Sequence, residues 1–103
     1  MSTTSTITDR ARPIPPGEVL VEAYLEPRKI TVTDLASASG LSRKHVSQII
    51  NGHVGITAAT AVRFARVFGT TPELWLNMQN KVDLFDAEAA VSAEAVRLLV
   101  AGA

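Results

Sequence analysis

Apolar side chains recur along this chain at three- and four-residue intervals, in blocks separated by proline, glycine and hydroxyl residues, and no stretch alternates as a strand would. Pro13, Pro15 and Pro16 hold the backbone extended ahead of Gly17. Val19, Leu20, Ala23, Tyr24 and Leu25 then share one face of a helix over about residues 17–27, stopped at or just after Pro27. Thr31 is an N-cap, with Asp34 at the capping-box distance, for a short helix from Val32 to Ser39. Its Leu35 and Ala36 face inward and Gly40 supplies the C′ position. After Leu41, Ser42 begins a helix to about Asn51 that Gly52 can end; Val46, Ile49 and Ile50 lie on one face and Arg43, Lys44, Ser47, Gln48 and Asn51 largely on the other.

Thr57 caps a fourth helix over about 58–68, with Ala61, Val62, Ala65 and Phe68 as its inner stripe, Arg63 and Arg66 flanking, and Gly69 at its end. Thr71 followed by Pro72 starts a fifth, because proline at the first helical position lacks only an amide that would be orphaned there. It is expected to reach about Asp86, burying Leu74, Trp75 and Met78, with Val82 as a further candidate and Phe85 divided evenly between core and interface. Ser92 to about Val100 carries Val96, Leu99 and Val100 at helical spacing and is a candidate for an extra C-terminal helix. The pattern predicts an all-α chain. At 103 residues there is room for one domain: a Ser/Thr-rich mobile tail over 1–12, a folded unit over 13–90, and a C-terminal helix or tail over 91–103.

The formal net charge is zero, but its distribution is uneven. Residues 1–27 hold two basic and four acidic groups, net −2. Residues 28–66 hold Arg28, Lys29, Arg43, Lys44, Arg63 and Arg66 against Asp34 alone, net +5. Residues 67–103 hold two basic and five acidic groups, net −3. One surface is therefore suited to a polyanion while others are not. With no Cys there is neither a disulfide framework nor a thiolate site, and no apolar run approaches the roughly 20 residues that cross a bilayer. A cytoplasmic protein with no membrane partner is expected.

Two short helices joined by a Gly-containing turn, here Ser39-Gly40-Leu41-Ser42, have the form of a helix-turn-helix whose second helix enters the DNA major groove. Spacing assigns the base-reading set to Arg43, Lys44, Ser47, Gln48 and Asn51. Arg43 suits bidentate contact with guanine, Lys44 a base edge or a phosphate, and Gln48 adenine; Ser47 is undiscriminating, and Asn51 can reach a base or a phosphate. Thr31 and Ser42, near helix starts, are candidates for phosphate contact, as are His53 and Arg63 on the rim; Arg28, Lys29 and Arg66 are further rim candidates. The competing explanation is a solvent-facing helix in a bundle with no ligand.

The resemblance goes beyond the generic motif. PGE at 16–18, LSR and VSQIING within 41–52, GIT at 55–57 and TPELWLNMQ at 71–79 follow one another at distances that resemble those of the HigA-type (VapI-like) antitoxins, in the phage-repressor-like (XRE) helix-turn-helix class. The likeness runs from about Pro13 to Leu84, about 70% of the chain. It implies a five-helix lambda-repressor-like DNA-binding domain, a homodimer on double-stranded operator DNA, and a cognate RelE-like mRNA-cleaving toxin that the antitoxin neutralises while repressing their shared operon. By position, Ser42, Arg43, Lys44, Ser47, Gln48 and Asn51 match the family's DNA-facing helix. Val32 departs from a Gln that many members carry, and His53 from a frequent Lys or Arg.

Other chemistry finds less support. His45 and His53 are the only histidines and have no ligand cluster around them, so surface residues explain them better than a metal. The glycines form no phosphate loop. Glu18 and Glu22, one turn apart, read as an exposed helix face rather than a catalytic carboxylate pair. No cofactor and no enzymatic activity are expected. A single recognition helix touches little DNA, so a twofold dimer is needed, and the fifth helix with the tail after Leu84 is the expected self-association surface. Both Met1–Arg12 and Val91–Ala103 are candidates for binding the toxin. The alternatives are a stand-alone transcriptional regulator without a toxin and an interaction module that has lost DNA binding.

Overall fold

The computed structural model describes residues 11–100; most of the expected amino-terminal tail, residues 1–10, and residues 101–103 lie outside the described residues. The described chain contains five helices in sequence and no strand. α1 opens as an α-helical turn over Pro16–Val19 and continues with π-type hydrogen bonding over Leu20–Leu25. The wider turn accounts for its inner face. Leu20 and Leu25, five residues apart, are both buried, Ala23 is exposed, and the Glu26 amide donates to the Val21 carbonyl at 2.9 Å. Pro27 has no amide to continue the helix. Arg28 instead donates from Nη1 to the carbonyls of Ala23 and Tyr24, at 3.0 and 3.2 Å, with its guanidinium 5.4 Å from the Tyr24 ring centre.

α2 (Val32–Ser39) begins in a complete capping box and ends at Gly40, whose φ of 78° is left-handed. α3 (Arg43–Ile50) is capped by Ser42, α4 (Ala58–Phe68) by Thr57, and α5 (Pro72–Ala90) by Thr71. In α4 the inner stripe is Thr60, Ala61, Phe64 and Ala65, with Val62 and Phe68 only partly covered. The expected stripe omitted Phe64, which is fully buried. α5 runs four residues past Asp86. Trp75 and Val82 are its buried residues, Met78 and Phe85 are half-buried, and Leu74 is exposed rather than inside.

The core gathers Leu20, Leu35, Val46, Phe64 and Trp75 from all five helices. Tyr24, Phe64 and Phe68 surround the Trp75 ring with centroids 5.2–6.0 Å away, and the indole N–H donates to Thr70 Oγ1 at 2.9 Å. No buried side-chain nitrogen or oxygen among the described residues lacks a hydrogen-bond partner. The extra C-terminal helix is corrected: residues 92–100 form turns and irregular chain. Val96, Leu98, Leu99 and Val100 are all largely exposed, and a segment this short cannot sustain a helix without a surface to pack on.

Candidate nucleic-acid interface

The turn between α2 and α3 is built by side chains that local sequence supplies and one that arrives from α4. The Gly40 amide donates to the Ala36 carbonyl, the buried Ser39 hydroxyl accepts from the Leu41 amide, and Ser42 Oγ accepts from the His45 amide at 3.0 Å. Across the turn, Arg63 Nη1 donates to the Ser39 carbonyl at 2.7 Å. A Cβ on residue 40 would lie 2.7 Å from that nitrogen, so glycine is required there twice, by the backbone angle and by the guanidinium.

This frame sets the orientation of α3. Val46 and Ile49 are buried, whereas Arg43, Lys44, Ser47 and Asn51 are exposed and Gln48 is half-buried. At about 100° per residue the five polar side chains occupy an arc of roughly 140° opposite the packed face. The structure thus brings together all five residues expected to read bases. Eight residues make a rod about 12 Å long, the scale of a major groove. Asn51 caps the helix end, and its Nδ2 lies 3.5 Å from Ser47 Oγ.

The residues expected to touch phosphate are differently placed. Ser42 stands at the exposed start of α3 with its oxygen engaged by His45. Thr31 is enclosed in the capping box: its amide donates to Asp34 Oδ2 and its hydroxyl accepts from the Asp34 amide, each at 3.0 Å. The Thr31 amide, and then the Thr31 hydroxyl, hold the Asp34 carboxyl below its ordinary range, which keeps a negative charge at the start of α2. Arg63 staples the turn. His53 lies in the loop after α3 and lines a pocket of about 430 Å³ whose walls include Arg12, Asp83 and Asp86, a mixed rather than a cationic setting. Among the described residues no group of His, Asp and Glu could hold a metal, and no helix is long and apolar enough to cross a membrane.

Three positioning residues escape sequence reading. Gly17 is buried in α1 with its Cα against the last turn of α3; a Cβ there would overlap the Ile49 carbonyl oxygen and lie 3.0 Å from that of Ile50. Gln79 of α5 accepts from the Ile56 amide at 2.8 Å and donates to Asp83 at 2.9 Å, clamping the α3–α4 loop. Arg12 makes a two-bond ion pair with Asp86, both at 2.9 Å, tying the segment before α1 to α5. PGE and the Gln closing TPELWLNMQ were visible as motif letters, but the backbone groups that Gly17 and Gln79 meet lie 23 or more residues away.

The helix-turn-helix family model matches residues 21–75, more than half of the chain. Antitoxin HigA-1 of Vibrio cholerae is 45% identical over 86 residues, covering 84% of this chain and 81% of its own. The Pseudomonas aeruginosa antitoxin HigA solved with the higBA promoter superposes with a TM-score of 0.81 at 34% identity, over 86% of this chain and all of that one. The antitoxin GraA solved with its operator gives 0.79 at 37% identity, over 88% and 95%. The chain belongs to the XRE-type helix-turn-helix family. Within that family it is of the HigA type.

Proposed function

We propose that this chain is an antitoxin that represses its own operon by binding operator DNA through α3 and neutralises a RelE-like, mRNA-cleaving toxin. The observation that carries the DNA part is the outward arc of exposed Arg43, Lys44, Ser47 and Asn51 with half-buried Gln48, held by buried Val46 and Ile49 and by the Arg63 staple. Arg43 at the helix start offers two parallel N–H donors to guanine O6 and N7, and Gln48 one turn on offers a donor and an acceptor to adenine. Ser42 retains a hydroxyl proton for a phosphate. Thr31 would have to turn its hydroxyl from Asp34 to meet a phosphate, and Arg63 has further N–H groups beyond the one on Ser39. His53 is the weakest of these because Asp83 and Asp86 share its pocket.

The solved HigA and GraA relatives sit on a promoter and an operator, which supports carrying the DNA chemistry to these residues. Two α3 helices spaced about 34 Å apart in a twofold dimer would double the contact. Leu84, Val91 and Leu98, between 58% and 75% exposed, supply an apolar surface for that dimer. A repressor of its own operon works where the DNA is, which supports a cytoplasmic location, and a binding role requires no catalytic group or cofactor.

The test is titration of the gene's own upstream duplex against a scrambled one. Specific binding should be tighter by about a thousandfold or more and weaken steeply with salt. Arg43→Ala or Gln48→Ala should remove about 1–3 kcal/mol of discrimination. Equal affinity for both duplexes would overturn the repressor reading. A stand-alone regulator shares this DNA chemistry, and relatives named only as HTH-type transcriptional regulators keep that reading in play. Co-purification of a small toxin encoded beside the gene separates the two.

A further inference from the structure

Beside the Asn51 end of the polar arc of α3, a groove of about 390 Å³ runs between α1 and the end of α3. Its floor is apolar, formed by Pro15, Val21 and Ile50, each half-buried, and Asn51 closes one end. Along its α1 wall stand Glu18, Glu22 and Glu26, four residues apart and all exposed. None of the three carboxylates has an ion-pair or hydrogen-bond partner among the described residues. Three like charges on one wall repel one another, and an incoming cationic surface would complement them.

We infer that this groove is the docking surface for the toxin, received through a basic, partly apolar face of that protein. The inference rests on the antitoxin reading, because an enzyme that cuts mRNA must carry cationic side chains to hold the phosphodiester backbone. The same three carboxylates exclude DNA from this wall. A second copy docked by twofold symmetry would set carboxylates on carboxylates, since such an interface presents the same patch from both sides. A basic face meets both components at once: Lys or Arg heads reach the carboxylates while their stems and apolar neighbours cover Val21 and Ile50. The groove lies within the described domain, so docking here requires neither of the terminal segments.

The test uses the full chain and the purified product of the reading frame beside its gene, with association and dissociation rates followed at 50 and 300 mM salt. The wild-type association rate should fall about tenfold between the two salts, as expected for steering by unlike charges. Glu18→Lys/Glu22→Lys/Glu26→Lys should weaken the complex by about a hundredfold or more, and the milder Glu18→Gln/Glu22→Gln/Glu26→Gln by about tenfold. A control carrying Glu73→Lys/Asn77→Lys/Asn80→Lys, at exposed positions of α5, should stay within about threefold. Circular dichroism checks that each variant is folded, and the Gln variant serves if the Lys variant is not. Folded groove variants that bind like wild type overturn the docking site while leaving the antitoxin reading intact. A wild-type chain that forms no complex overturns both.

Discussion

Gly17→Ala is the sharpest probe of how α1 holds the DNA-facing helix. One methyl is added at a buried position where the three nearest atoms are all backbone, the carbonyl groups of Ile49 and Ile50, so no flexible side chain can swing aside. Forcing a methylene-sized group into packed surroundings costs about 1–3 kcal/mol. Alanine's better helix propensity returns at most about 0.5–1 kcal/mol, the value for a helix interior, because residue 17 lies in the first turn of α1. Subtraction leaves a loss of between about 0 and 2.5 kcal/mol, and overlap with rigid backbone sets the expectation in the upper part of that range, at about 1–2 kcal/mol. For a domain of this size that lowers the melting temperature by roughly 5–15 °C. Thermal unfolding followed by far-ultraviolet circular dichroism measures it. Operator titration well below the transition should also show weaker binding, since relief of the overlap moves the last turn of α3, where Asn51 sits. Gly52→Ala is the comparison: nothing lies within 4 Å of its Cβ, so only the left-handed φ of 76° opposes it, at about 1 kcal/mol, with no displacement of α1. A Gly17→Ala protein that melts at or above the wild-type temperature would refute the close approach of α1 and α3.

Three further outcomes follow from the same contacts. Gln79→Ala leaves the amide of buried Ile56 without its acceptor and should lower unfolding stability in urea by about 1–3 kcal/mol; an unchanged midpoint would mean the loop needs no clamp. Arg63→Ala removes the charge-assisted bond to the Ser39 carbonyl and should destabilise by about 1–2 kcal/mol, whereas a variant of unaltered stability that loses affinity equally for all DNA sequences would make Arg63 a phosphate ligand alone. On acidification, Asp34 and Asp86 are held below the ordinary value of 3.8, the first by the Thr31 amide and hydroxyl and the second by hydrogen bonds from Arg12. Their stabilisation is present above that value and is lost as pH falls through the lower folded-state values. Asp34→Asn/Asp86→Asn should therefore flatten the melting temperature between about pH 5 and pH 2.5 relative to wild type, and parallel profiles would contradict the assignment.

The candidate site was legible to an unusual degree because its decisive features are local. The Thr31–Asp34 box, the Ser42, Thr57 and Thr71 caps and the left-handed glycines at 40 and 69 join groups at most four residues apart, so residue type and spacing suffice to place them. The same holds for the polar arc of α3, since a 3.6-residue period leaves Arg43, Lys44, Ser47, Gln48 and Asn51 no route to the side that buries Val46 and Ile49. What each rim residue does was not legible. Arg28 and Arg63 carry the charge of phosphate ligands, yet their guanidinium groups are directed to carbonyls of the fold.

By itself, then, the order of amino acids determined the five helices of the domain, their caps, the turn and the outward face of α3, all through interactions that close within a turn or two of chain. Tertiary structure alone decided the π-turn of α1 and the exposure of Ala23, the burial of Phe64, the seating of Gly17 on α3, and the bonds of Arg63, Gln79 and Arg12 to partners 24, 23 and 74 residues away. It also decided that residues 92–100 form no helix. Periodicity reports which face of a segment is apolar, but whether that face finds a neighbour depends on where the rest of the chain has packed.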